Sequence, residues 1–111
     1  MDIIIRIHDK NASVIFENIK ACFLQEFLDK EFEWKRTGTV YTTKLQEGGE
    51  EIVRIFEELV ERYPELDVEA SYSYDVREGD TSAQWWGTTR IYSERKDGKT
   101  EIVSSSSTYW N

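Results

Sequence analysis

A chain of 111 residues with 39% hydrophobic and 14% aromatic content has the material for one domain around one core, which excludes wholesale disorder. Its net charge of −8 and lack of clustered Lys and Arg argue against nucleic acid, since phosphate binding needs such clusters to release counterions. The longest apolar run, residues 3–5, is too short to span a bilayer, and Met1-Asp2-Ile3 lacks the basic start and apolar stretch of a signal peptide. No membrane partner is therefore expected, and the cytoplasm is the expected compartment.

Residues 2–8 alternate Ile3, Ile5 and Ile7 with Asp2, Arg6 and His8, the pattern of a strand with one strongly buried face and the best candidate for a central strand. From Asn11 the period lengthens. Ala12, Ile15, Ile19, Cys22 or Phe23, and Phe27 recur every three or four residues, which predicts an amphipathic helix capped by Asp9 or Asn11. Phe16, Leu24 and Leu28 widen its apolar stripe, so burial on more than one side is expected. Cys22, the sole cysteine, falls on the apolar face; it excludes an intrachain disulfide and a cysteine zinc cluster, and reads as a buried structural thiol.

Residues 32–45 are rich in Trp, Thr, Val and Tyr, with Gly38 placed either to turn a hairpin or to bulge one long strand. Fourteen residues exceed the usual strand length, which favours the hairpin. Gly48-Gly49 breaks the pattern. Ile52, Ile55, Phe56, Leu59, Val60 and Tyr63 then form a helical stripe that Pro64 ends, because proline cannot continue the helix ladder.

All five phenylalanines lie at or before Phe56, whereas Tyr72, Tyr74, Trp85, Trp86, Tyr92, Tyr109 and Trp110 follow it. Tyr and Trp carry a polar atom that needs a partner, which suits strands at a half-wet surface. Val68, Ala70, Tyr72, Tyr74 and Val76 alternate with Glu69, Ser71, Ser73 and Asp75, a strand with one wet face. Glu78-Gly79-Asp80 should turn the chain into a strand over 82–93, and Asp97-Gly98 signals a tight hairpin into 100–110. Residues 104–107, four serines, read as a solvated edge strand; a polar pocket is the alternative. Neither an internal repeat nor a dividing linker is present, so residues 1–111 are expected to form a single α+β domain.

Helices separated by strands in this order can cover one face of an antiparallel sheet. The expected fold is a two-layer sandwich, a ferredoxin-like sheet with two helices on one face and a C-terminal β-hairpin extension, its other face uncovered. The segment 56–68, Phe-Glu-Glu-Leu-Val-Glu-Arg-Tyr-Pro-Glu-Leu-Asp-Val, runs a helix into an aromatic-Pro-x-Leu step. With the Tyr72/Tyr74 strand and Trp85-Trp86-Gly87, it resembles over some sixty residues the YubB-type ferredoxin-like domain of phage- and plasmid-borne proteins. The resemblance implies a mobile-element origin and supplies no catalytic residues.

Chemistry has little to work with. One histidine and one cysteine signal no nucleophilic triad or dyad, and His8 beside Asp9 reads as a satisfied strand-end residue rather than a general base. Asp67, Glu69 and Asp75 lack calcium-loop spacing, so neither metal nor cofactor is expected, and the chain reads as a non-enzyme.

Charge is more informative. Residues 47–69 hold nine carboxylates against Arg54 and Arg62, a balance of −7. Glu50–Arg54 and Glu58–Arg62 stand i,i+4 in the favourable order, and Glu47, Glu50 and Glu51 sit where the helix dipole favours negative charge. Glu57 and Glu61 form a like-charge i,i+4 pair with no such explanation. They, with Glu65 beyond Pro64 and Trp86, are the residues assigned to partner contact; Trp85 and Trp86 point to opposite faces, so one of them is exposed or at an edge. The expected function is binding a basic protein partner, as an inhibitor or antagonist of immunity or counter-defence type. The alternative is a self-associating or small-ligand-binding domain, with a homodimer through the aromatic open sheet face.

Overall fold

The computed structural model describes residues 1–46, 49–77 and 84–110, with backbone only at 49, 74–77, 84–86 and 108–110. In chain order the elements are β1 (Asp2–Ile7), α1 (Ala12–Glu26), β2 (Lys35–Thr37), β3 (Val40–Lys44), α2 (Gly49–Arg62), β4 (Leu66–Arg77), β5 (Gln84–Lys96) and β6 (Lys99–Trp110). The protein is α+β: the strands form one six-stranded sheet in the order β2-β3-β1-β4-β5-β6, every neighbouring pair antiparallel. No helix among the described residues is long and apolar enough to cross a membrane.

The isoleucine alternation places β1 at the centre, between β3 and β4. Ile3, Ile5 and Ile7 are buried on one face, where Ile3 stands opposite Thr43 and Ala70 and Ile5 opposite Tyr41 and Val68. Both helices bury against this face: Phe16, Ile19 and Phe23 of α1 and Ile52, Phe56 and Leu59 of α2 join the isoleucines in one core. The α1 N-terminus is set by Asp9, whose carboxylate accepts the Asn11 amide at 2.7 Å, while the Asn11 side chain makes no capping bond.

The segment after α1 departs from the expectation of strand from residue 32. Only 35–37 and 40–44 are strands, joined at Gly38, whose φ of +62° is the left-handed turn conformation that favours glycine. Phe32 and Trp34 instead fold back over α1. Phe23 meets Phe32 and Trp34 edge-on at 5.5 and 5.3 Å, and Phe16 stacks on Tyr41 at 3.8 Å with Trp34 edge-on at 5.0 Å. Thr43 fixes this strap by donating to the Glu33 carbonyl at 2.8 Å. The expectation that Leu24 and Leu28 are buried is corrected as well: both are exposed. A helix lying on one sheet has one inward stripe, filled in α1 by Phe16, Ile19 and Phe23, which leaves Leu24 outside, while Leu28 lies in the turn past the end of α1.

At the other end, Asp97 and Gly98 take φ values of +52° and +78°, both positive as a two-residue turn matching the twist of its strands requires. The turn expected at Glu78-Gly79-Asp80 lies outside the described residues, as does Gly48. Strands β4 to β6, at 12 or 13 residues, are about 40 Å long, against about 22 Å for either helix. The sheet therefore outruns its helical cover, and Tyr72, one alternation past buried Ala70, is exposed.

Tyr41 is buried, yet its hydroxyl has no hydrogen-bond partner among the described residues. Tyr41→Phe removes an unpaired buried group while keeping the ring stack, and should raise unfolding free energy by about 1–2 kcal/mol. Phe23→Ala should lower it by about 3–5 kcal/mol. Urea denaturation measures both, and a destabilised Tyr41→Phe would refute the unpaired hydroxyl.

Candidate functional site

In α2 the apolar stripe is buried as its spacing requires, and Glu50, Arg54, Glu57, Glu58, Glu61 and Arg62 are exposed. Arg62 pairs with Glu58 at 3.6 Å, one turn apart on the same helix. Arg54 does not pair with Glu50 as predicted: its guanidinium reaches across to Glu26 of α1 at 3.0 Å. The packing of α1 beside α2 brings in a carboxylate 28 residues away, and the local spacing loses to it. Glu50, Glu57 and Glu61, at helical offsets of seven and four, are thereby left as one outward stripe with no ion-pair partner among the described residues.

Glu65 is exposed but does not extend this stripe. It lies in the turn after Pro64 and lines a notch of about 270 Å³ with His8, Asp67, Ser93, Arg95 and Thr100. Here His8 Nε2 meets Asp67 Oδ2 at 2.6 Å, both side chains largely exposed. Thr100 ties β6 to the turn by donating to the Pro64 carbonyl at 3.2 Å. Ser93 Oγ accepts the Val68 amide at 3.0 Å, so this hydroxyl serves the β4 backbone and not the histidine.

No helix covers the opposite sheet face among the described residues. A register row of Ile4, Glu69, Tyr92 and Val103 crosses its middle, all half-buried. Glu69 is bound diagonally by Arg90, whose guanidinium lies 4.6 Å from the Tyr92 ring centre. Trp86 stands in β5 with its backbone opposite Asp75 and Tyr109; its side chain lies outside the described residues, so its exposure relative to Trp85 does too. Residues 104–107 lie exposed on edge strand β6, with Ser106 and Thr89 hydroxyls 3.1 Å apart. A second groove, about 1000 Å³ at the N-terminal end of β1, mixes Asp2, Glu31 and Glu33 with Lys30, Lys35 and Lys44. Among the described residues no three His, Cys, Asp or Glu side chains converge as a metal site would need.

The structure thus brings Glu57 and Glu61 together on one face, places Glu65 in a separate notch, and adds partners that the sequence reading missed. These are Glu26 for Arg54, Asp67 for His8 and Arg90 for Glu69, separated by 28, 59 and 21 residues. Helical spacing carries no signal for such pairs. For the last two, strand register does: Asp67 stands beside β1 opposite Arg6, and Glu69 stands opposite Tyr92, two residues from Arg90 on the same face of β5. The sequence matches no protein-family model and no curated protein.

Cys22 is half-buried rather than fully enclosed, and packs against the core. Burial pushes its thiol up from the ordinary value, the Glu58 carboxylate adds to the rise, and Arg62 partly opposes it. The thiol is therefore neutral at pH 7, and its thiolate appears only at a higher pH than in the unfolded chain. Alkylation at pH 8 should be several-fold slower in the native than in the unfolded protein. Glu58→Gln should lower the midpoint of the native pH–rate curve and Arg62→Gln should raise it; an unmoved midpoint in both variants would exclude these charges as causes.

Proposed function

We propose that this domain is a non-enzymatic protein-binding module that docks a basic partner through the outward face of α2, and so works as an inhibitor or antagonist by occupancy. One observation carries the reading: Arg54 is drawn to Glu26, so Glu50, Glu57 and Glu61 stand along one side of the helix without an ion-pair partner among the described residues, and Glu57 and Glu61, one turn apart, repel each other. A cationic surface relieves that repulsion and is steered by it during encounter. A binding role also agrees with the chemistry of the reactive groups, because the lone histidine is held by an aspartate at the surface and the lone thiol is kept protonated.

We further infer that β1 to β4 with both helices constitute a ferredoxin-like unit to which β5 and β6 add a C-terminal hairpin. The order β2-β3-β1-β4, antiparallel throughout, supports this assignment. It agrees with the YubB-type resemblance of the second half of the chain, and through it with a mobile-element origin, in a chain read as cytoplasmic. The competing use of the open sheet face has less support, since Glu69 and Arg90 close a salt bridge across its middle.

Affinity capture from host lysate tests the docking. The natural chain should retain a basic protein at about 0.05 M salt and release it at about 0.5 M, where charges are screened within a few ångströms. Glu57→Lys with Glu61→Lys should abolish retention while leaving the melting temperature unchanged or slightly raised. Capture of the same protein by that variant would refute the proposal, and its loss in Trp86→Ala alone would move the site to the sheet.

A further inference from the structure

We propose that two copies of this chain pair through the outer edge of β6, antiparallel about Ser105, so that one continuous sheet crosses the pair. Among the described residues β6 has β5 on one side and no strand on the other, and alternate backbone groups along it point outward unpaired. The turn at Asp97-Gly98 fixes which ones. Lys96 and Lys99 flank a two-residue turn and exchange backbone bonds, so the alternation aims the amides and carbonyls of Thr100, Ile102, Ser104, Ser106 and Thr108 away from β5. The 3.1 Å approach of the Ser106 and Thr89 hydroxyls fits such a pair, in which facing side chains come closer. The two edges of the sheet are built differently. At the far edge β2 is 3 residues long and carries Lys35 and Arg36, a shortness and a charge that discourage pairing. β6 has no such guard: its register against β5 runs from Lys99 to Trp110 without a bulge, it contains no proline, and residues 102–110 carry no charge.

An unpaired strand edge accepts another extended strand, and the side chains of β6 name a second copy as that strand. Residues 104–107 are exposed serines that offer neither a charge nor an apolar anchor with which to select a foreign sequence. On a chain of net charge −8, this uncharged stretch lets two copies meet without opposing like charges. With the two-fold axis at Ser105, Ser104 stands opposite Ser106, Val103 opposite Ser107 and Glu101 opposite Tyr109. About ten backbone hydrogen bonds close in this register, the number that a typical specific interface carries. The helical layer meets β6 at Ile102 and, through the Pro64 carbonyl, at Thr100, about 10 to 17 Å along the strand from Ser105. The helices of the two copies therefore stand toward opposite ends of the paired strands and leave the edge open. Because the remaining edge of each copy is the guarded β2, the assembly closes as a dimer.

Sedimentation of the natural chain from about 5 to about 500 μM should show a monomer–dimer equilibrium that tightens as salt screens the net charge of both copies. The docking proposed for α2 weakens with salt, so either proposal can fail without the other. Amide exchange resolved by residue should slow at Ser104 and Ser106 from the lowest concentration to the highest. Ser104→Pro removes an outward amide without touching the bonds to β5, where an edge strand tolerates proline, and should weaken the dimer about 10-fold or more. Ser105→Lys, which sets two cations face to face at the axis, should act in the same direction, and both variants should keep the melting temperature of the monomer within a few degrees. Under mild oxidation Ser105→Cys should cross-link into a dimer, because the axis brings its two Cα atoms within disulfide range, whereas the natural chain, with Cys22 alone, should not. A monomer at every concentration overturns the proposal and leaves the edge to a foreign strand or to none. A dimer that survives both Ser104→Pro and Ser105→Lys, or that fails to cross-link through Ser105→Cys, overturns it as well.

Discussion

The alternation of Ile3, Ile5 and Ile7 along β1 constrains everything around it. All three are essentially without solvent exposure, and β1 is hydrogen-bonded on both edges, to β3 and to β4. Because side chains alternate faces, a slip of one residue would carry the isoleucines into water and bring Asp2, Ile4 and Arg6 beneath the helices. The register that prevents this also places Tyr41 and Thr43 on one side, and Val68 and Ala70 on the other, under the same two helices. From that point outward the sheet loses cover, until β6 stands as an exposed edge.

Above β1 the two helices solve different problems. Helix α2 behaves as an ordinary amphipathic element, with apolar residues on the sheet and charge in solvent. Helix α1 packs its inner stripe against the strap formed by Phe32 and Trp34, and leaves Val14 and Leu24 exposed among polar residues on its outer side. The strap explains why a long Trp- and Thr-rich segment became two short strands. Phe32 and Trp34 gain more by burial against Phe23 and Phe16 than the backbone before Lys35 would gain from continuing an edge strand.

Ion pairing divides along the same line. Glu17–Lys20 and Glu58–Arg62 connect residues three and four apart on one helix. Arg54–Glu26, His8–Asp67 and Glu69–Arg90 connect residues that only the packed fold makes neighbours. Exposed pairs of either kind contribute at most about 1 kcal/mol, so they do not hold the fold together. Their effect is on the surface field: by claiming Arg54, Glu26 leaves an acidic stripe on α2 and neutralises the margin of α1.

Sequence alone determined the features that repeat within a few residues. The β1 strand, both helices, the stop at Pro64, the turn at Asp97-Gly98, the paired Glu58 and Arg62, and the unusual pair Glu57 and Glu61 all follow from periodicity, proline chemistry or glycine-assisted turns. Only the tertiary structure decided that Arg54 goes to Glu26 rather than Glu50, that Asp67 takes His8, that Glu65 joins a notch and not the helical stripe, and that Leu24 and Leu28 face solvent. The physical reason is range. A local pattern records which side of an element is apolar, but which partner a charge finds and which apolar residues are covered depend on the element that arrives beside them, and that is fixed by how β1 orders the sheet and seats the helices.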